Sequence, residues 1–341
     1  MSFRQPAAVQ SVDNISWSPS VPITGLPPLT PGVLAETLDG GQAFRWKCGP
    51  SGDLSPIGSD PRTWLGQWSR CAVHLQHAPD GTVQWSAPTT LVPLVAGELP
   101  RYFAADHDWS ALADSLPWRS DAHLAQCLGA FPGLRILRQP FGETLLGFLC
   151  SATKQIVQIK QMLALLAARH GSAVVERVVP TTLAVTTAMP NQRVGDNALH
   201  RLPTWPELAA ISEQDLRDCQ FGFRARFIAE TARFLTAHPG WLEETERLPY
   251  VAAKARLREL PGVGEKIADC VLLFGAGRLE AFPVDTWILQ AMAARYGLTG
   301  WKPAQVAQFG RAHFGPLAGL AQQYLFAYER RAAKGIAHSG I

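Results

Sequence analysis

"ELPGVGEKIADC", residues 259–270, decides the reading of this chain. Two glycines, Gly262 and Gly264, punctuate a tight turn, and Lys266 follows at once. Glycine-rich turns often cradle phosphates, but a P-loop needs G-x4-G-K-[ST] after a strand. Here a residue separates Gly264 from Lys266, Ile267 stands in place of Ser or Thr, and the preceding "YVAAKARLREL" is helical in its spacing. What remains is helix, hairpin, helix. The glycines let the backbone turn sharply and approach a ligand without interference from a Cβ. The N–H groups around Gly262, Val263 and Gly264, with the N-terminus of the next helix, can then grip one DNA phosphate. An ordinary helix–turn–helix corner carries the same pattern, and spacing alone leaves both readings open.

Lys266 raises a second question. It lies in the first turn of the second helix, where the positive end of the dipole disfavours an ammonium. A neutral amine is a nucleophile; the other reading is a solvated surface lysine. "FPVDTW" (282–287) bears on the choice. Pro283 sets the backbone just before a helix, and Asp285 is placed to cap it. Capping and a chemical role are compatible.

Outward from this core the pattern stays helical. Helices are expected at about 205–219, 224–237, 250–258, 265–276, 285–296, 303–312 and 316–334. "GETLLGFLCSA" reads as one more. In "KQIVQIKQMLALLAARHG", Ile156, Ile159, Leu163 and Leu166 share a face and Gly171 follows the end. "TWPELAAISEQDL" has a helix start, with Thr204 as N-cap and Glu207 three residues on. Nearer the N-terminus, "QAFRWKC", "RTWLGQW", "CAVHLQHA" and "TVQWSA" alternate as strands, and "PDG" (79–81) is a hairpin signal. Trp64, Trp68 and Trp85 are read as core. Six prolines within residues 1–31 suggest a flexible arm. The fold class is α+β. It divides into an arm (1–30), an antiparallel sheet domain with a helical end (31–133), a helical body (134–334) and a tail (335–341).

The chain has 341 residues, 47% of them hydrophobic and 17% charged, the balance of a globular protein. Its net charge of +3 is uneven: residues 1–133 carry −4 and residues 134–341 carry +7. That asymmetry hints that the second part meets a polyanion, though ordinary charge scatter gives the same numbers. No apolar run reaches about 18 residues, so no membrane span is expected. "MSFRQPAAVQSVDNISWSPS" shows no secretory signal. The six cysteines include no CxxC and no iron–sulfur spacing. They read as reduced thiols of a cytoplasmic protein, with no metal and no cofactor expected.

"LPGVGEKIADC…FPVDTW" resembles the helix-hairpin-helix DNA glycosylases with a Gly/Pro-rich loop and catalytic Asp, and within them the 8-oxoguanine DNA glycosylases. Lys266 and Asp285 lie 19 residues apart, as in that family. "DGGQAFRW" (39–46) is similar to its strand that contacts the damaged base, and "FPGLRILRQPFGETLLGFLCSA" (131–152) to its interdomain segment. "FGFRARF" (221–227) is similar to its loop that probes DNA at the lesion, and "FGPLAGLAQQYLF" (314–326) to its base-pocket helix. The blocks run in family order over about residues 30–330.

The resemblance implies a base-excision-repair glycosylase with AP lyase activity. Its lysine attacks C1′ of a flipped nucleotide, expels an oxidised purine, forms a Schiff base and nicks the strand by β-elimination. The nucleophile is then Lys266, with Asp285 stabilising charge on the sugar. Phe326 would stack on the base, Gln322 read its Watson–Crick edge, Gly41 accept the N7–H of 8-oxoguanine, and Cys270 pack beside it. Without the resemblance, Phe326 and Cys270 read as core, Gln322 as a surface amide and Gly41 as a turn glycine. The implied partner is double-stranded DNA with a damaged base. A monomer at the nucleoid is expected.

Two departures stand out. Thr153, Lys154 and Gln155 replace an asparagine-rich segment, and Gln158 stands where an arginine reads the orphaned base; this leaves Phe223 and Arg224 as probes of the gap. Trp287 stands where eukaryotic members have histidine, with packing or phosphate contact as its role. Two alternatives remain open here: a monofunctional alkylated-base glycosylase, or a non-catalytic DNA-binding protein.

Overall fold

The computed structural model describes residues 15–49, 62–175 and 199–333. Five strands, β1 (Val21–Pro22), β2 (Trp46–Cys48), β3 (Thr63–Trp68), β4 (Cys71–His77) and β5 (Val83–Ser86), form one antiparallel sheet in the order β1-β5-β4-β3-β2. In β3 the side-chain alternation buries Trp64 and Trp68, and Trp85 of β5 is buried as well. Gly81 turns the β4–β5 hairpin at φ 86°, and Asp80 accepts from Thr82 N–H at 2.9 Å.

The helices run α1 (Pro31–Asp39), α2 (Val92–Tyr102), α3 (Trp109–Asp114), α4 (Ala122–Ala130), α5 (Phe141–Leu149), α6 (Ile156–His170), α7 (Trp205–Ala209), α8 (Glu213–Leu216), α9 (Arg224–Ala237), α10 (Trp241–Arg247), α11 (Tyr250–Leu257), α12 (Glu265–Phe274), α13 (Thr286–Tyr296), α14 (Pro303–Phe314) and α15 (Ala318–Ala333). α12 packs on α5, and α15 packs on α4 and α13. No helix among the described residues is long and apolar enough to cross a membrane.

One buried amide joins sheet layer and helical body. Gln42 Nε2 donates to Arg135 O at 2.9 Å, and its Oε1 accepts from Leu137 N–H at 3.0 Å. Gln139 Nε2 returns a bond to Gln42 O at 2.7 Å, so both ends of the Gln42 amide and its carbonyl are satisfied across the seam.

Three expectations need correction. The arm is not free from residue 15 on: Trp17 bridges Pro88, β1 pairs with β5, and Ile23 and Leu29 are buried. Apolar residues between the prolines drive that docking; residues 1–14 and the tail lie outside the described residues. The single helix at 205–219 is two, because Ser212 caps a second start by accepting from Asp215 N–H at 3.1 Å. α8 then opens into a π turn (Arg217–Phe221), where Gln220 and Gly222 take φ of 68° and 57°. Finally, α1 lies in a stretch read only for strands and turns; Thr30 caps it and Pro31 fills its first position.

Candidate active site

The hairpin is α11, a turn at 258–264, and α12. Gly262 has φ 78°, and Val263 N–H donates to Leu260 O at 3.1 Å. Val263 is buried and its N–H is used inside the turn, whereas Gly262 and Gly264 are exposed. α12 starts at Gly264 with no side-chain cap, which leaves its first N–H groups without a side-chain acceptor, as an anion site would require. Behind the turn the two helices are clipped together. Lys254 Nζ meets Asp269 Oδ2 at 3.0 Å and Glu265 Oε2 at 2.6 Å, and Tyr250 Oη donates to Asp269 Oδ1 at 2.6 Å.

Lys266 projects from the first turn of α12. Its Nζ donates to Ser151 Oγ at 3.1 Å and stands 5.3 Å from the centre of the Phe148 ring. Phe148 is itself held edge-on by Phe44 at 5.2 Å and stacked on Phe274 at 5.6 Å. Asp285 caps α13: its Oδ1 accepts from Ile288 N–H at 2.9 Å. Burial pushes the Asp285 carboxyl above the ordinary range, while the Ile288 N–H and the Lys266 charge pull it back down. Cys270, one turn after Lys266, feels both charges, but burial holds its thiol up at about 12. It therefore stays neutral and is no competing nucleophile.

Gly41, Ile156 and Phe326 meet at one wall. Gly41 has φ 100°, and a Cβ there would lie 3.2 Å from Ile156 Cδ1 and 3.7 Å from Phe326 Cε1. Gln322, on the same helix as Phe326, is 4% exposed, and its Oε1 has no protein partner among the described residues. Arg330 stands 5.8 Å from the Phe326 ring centre and reaches Glu36 at 2.5 Å, tying α15 to α1.

The residues expected to probe the gap are arranged less evenly. Phe223 is 53% exposed, lifted out by the π turn before it. Arg224 is 2% exposed and turns inward: it donates to Phe221 O at 3.3 Å, to Thr153 Oγ1 at 2.9 Å and to Ala152 O. Thr153 is exposed with φ 55°, and Lys154 is half-buried. Gln158 caps its own helix, with Oε1 accepting from Gln155 N–H at 3.1 Å. Trp287 is 37% exposed beside Asp285.

Sequence reasoning missed Ser151, Ile156, Phe227 and the Lys254–Asp269 pair. Ser151 had one signal, a hydroxyl just past a helix end. The other contacts are tertiary.

A sheet layer thus buttresses a helical body, and a glycine hairpin delivers a lysine into the electrostatic field of a helix-capping aspartate. No protein-family model matches the chain. It is 29% identical over 325 residues to the N-glycosylase/DNA lyase OGG1 of Arabidopsis thaliana, spanning 90% of this chain and 80% of that one. It is 27% identical, with a TM-score of 0.72, to the Clostridium acetobutylicum 8-oxoguanine glycosylase/lyase solved with double-stranded DNA containing cytosine opposite 8-oxoG; the match covers 88% and 92% of the two chains. The apo form of that enzyme gives a TM-score of 0.73 over 93% of this chain and 99% of its own. Over most of its length the chain is thus similar, in sequence and in fold, to 8-oxoguanine glycosylase/lyases.

Proposed function

We propose that this protein is a base-excision-repair DNA glycosylase with AP lyase activity, removing 8-oxoguanine and formamidopyrimidine from duplex DNA. The observation that carries the reading is Lys266, its amine held 3.1 Å from Ser151 Oγ in the electrostatic field of Asp285. A monofunctional glycosylase has no use for an amine there.

The hairpin at Gly262 and Gly264 takes hold of a backbone phosphate without reading sequence. Phe223 enters the gap left by the extruded nucleotide, which offsets part of the few kcal/mol of unstacking. The base stacks on Phe326, with Gln322 Oε1 at its Watson–Crick edge and the Gly41 carbonyl at N7–H. Lys266 Nζ, as the neutral amine, attacks C1′. The C1′–N9 bond breaks and its electron pair leaves with the base, which takes up a proton. Asp285, as the carboxylate, stabilises the positive charge developing on the sugar. Opening of the sugar ring gives the imine, and loss of a C2′ proton with departure of the 3′ phosphate nicks the strand.

In this reading the enzyme acts as a monomer. Its place of action is wherever the genome lies. The test is borohydride trapping with duplexes carrying 8-oxoguanine, formamidopyrimidine or an abasic site. A covalent adduct with released 8-oxoguanine is expected. Base release without an adduct would make the protein monofunctional, and persistence of every lesion under single-turnover conditions would make it a binding protein.

A further inference from the structure

We propose that Arg224 is a positioning residue for the nucleophile: its guanidinium fixes the 151–153 turn, and the turn fixes the Lys266 amine through the Ser151 hydroxyl. The inference rests on the reading of Lys266 as nucleophile.

The chain of contacts is continuous. Arg224 opens α9 and is 2% exposed, too deep to act as an ordinary surface reader. Its guanidinium bonds Ala152 O and, at 2.9 Å, Thr153 Oγ1. Both acceptors belong to the short link between α5 and α6. Thr153 holds φ 55° there, a left-handed conformation that a β-branched residue adopts only when its surroundings impose it. The Lys154 N–H to Ser151 O bond closes the turn from within, and Arg224 braces it from outside through Thr153 and Ala152. Two residues back, Ser151 is oriented as an acceptor. Its one hydroxyl proton goes to Phe148 O at 2.7 Å, which leaves the oxygen lone pairs for Lys266 Nζ at 3.1 Å.

The same guanidinium lies 4.3 Å from the ring centre of Phe223. One cation therefore touches the exposed ring that enters the DNA gap and the turn that supports the amine. Insertion of Phe223 and placement of Lys266 are linked through it. An Arg224 that merely reads the orphaned base would have no such effect on the amine.

Single-stranded DNA with an abasic site separates the two roles, because it has neither an opposite base nor a glycosidic bond to break. The readout is the borohydride-trapping rate at saturating protein. Thr153→Val keeps the shape and removes the hydroxyl acceptor; it should slow trapping about fivefold, and Arg224→Gln about tenfold, with Kd for the same strand unchanged. Thr153→Ser should restore most of the rate lost in Thr153→Val. Added to Ser151→Ala, Thr153→Val should slow trapping no further, since both act through one bond. Wild-type trapping by Thr153→Val, or additive effects in the double variant, would overturn the proposal. Thr153→Val does this without depending on whether Arg224→Gln folds. Failure of the wild-type protein to trap would instead overturn the assignment of Lys266.

Discussion

The ring of Phe227 lies directly beneath Gly262: a Cβ at 262 would come within 2.7 Å of Phe227 Cδ2. Phe227 also meets Phe223 edge-on, with centroids 6.1 Å apart. The hairpin turn and the exposed Phe223 ring thus rest on one aromatic ring. Gly262→Ala combines that clash with a φ of 78°, so it should push the turn off its seat. Fluorescence anisotropy should show binding weakened about tenfold for damaged and undamaged duplexes alike, as expected when a sequence-independent phosphate contact is lost. A defect confined to lesion DNA would refute this. Gly264→Ala, with no atom within 4 Å of its Cβ position, should be much milder in stability.

Lys266→Gln should abolish both base release and strand nicking while leaving DNA binding largely intact. Gel assays of alkali-labile and enzymatic breaks, run beside anisotropy, check it. Near-normal base release by the variant would show that another group attacks C1′.

Asp285 gives a pH signature. Burial raises its folded-state pKa, so on acidification the carboxylate is lost earlier than an ordinary aspartate near 3.9 would be. The acid limb of the single-turnover excision rate should therefore lie above that value, and the limb should vanish in Asp285→Asn along with most activity. The stability sign is opposite. A raised folded pKa favours the fold below the unfolded value, and that contribution fades as pH rises through the folded one. Asn is itself a good cap, so the substitution should cost about 1 kcal/mol or less. A large fall in Tm would favour a purely structural role.

Asp269 is 1% exposed and shares Lys254 with Glu265. Asp269→Ala leaves a buried ammonium with one partner fewer and should destabilise the protein by about 3–5 kcal/mol. Glu265→Ala removes the more exposed partner and should cost far less. Chemical denaturation compares them; equal losses would show that burial does not govern this pair.

Opposite-base choice should be loose. Gln158 and Thr153 replace the fork-shaped and amide readers, Gln158 is engaged as a helix cap, and Arg224 is folded inward. One bidentate reader contributes roughly 1–3 kcal/mol of discrimination. Excision of 8-oxoguanine opposite cytosine should therefore be within about tenfold of that opposite thymine or guanine. Gln158→Arg should sharpen the preference, at a cost of about 0.5–1 kcal/mol for the lost cap. A wild-type preference above about a hundredfold would mean that Arg224 or another residue already reads the base.

The elements that sequence disclosed are those whose cause is local. Glycines at 262 and 264, the cap at Asp285 and the Thr204–Glu207 pair each act within one turn of chain, so spacing reveals them. α10 was invisible because it is short and begins at Gly240, without a side-chain cap. The inward course of Arg224 was invisible for another reason. Its acceptors lie about 70 residues away in sequence, and an arginine beside an exposed phenylalanine looks the same whichever way it points. The pairing of Ser151 with Lys266 spans more still.

The base-pocket wall has a consequence for synthesis. Gly41 arrives early from the ribosome, and Phe326 comes near the end of the chain, yet the two meet at one wall beside Ile156. The hairpin is complete some fifty residues before that closing helix emerges. A chain ending between them would lack α15, whose Leu320, Tyr324 and Leu325 are wholly buried in the core. The wall and part of the core are therefore completed together by the last helix to be made, and premature termination before it would remove both at once rather than trim a dispensable end.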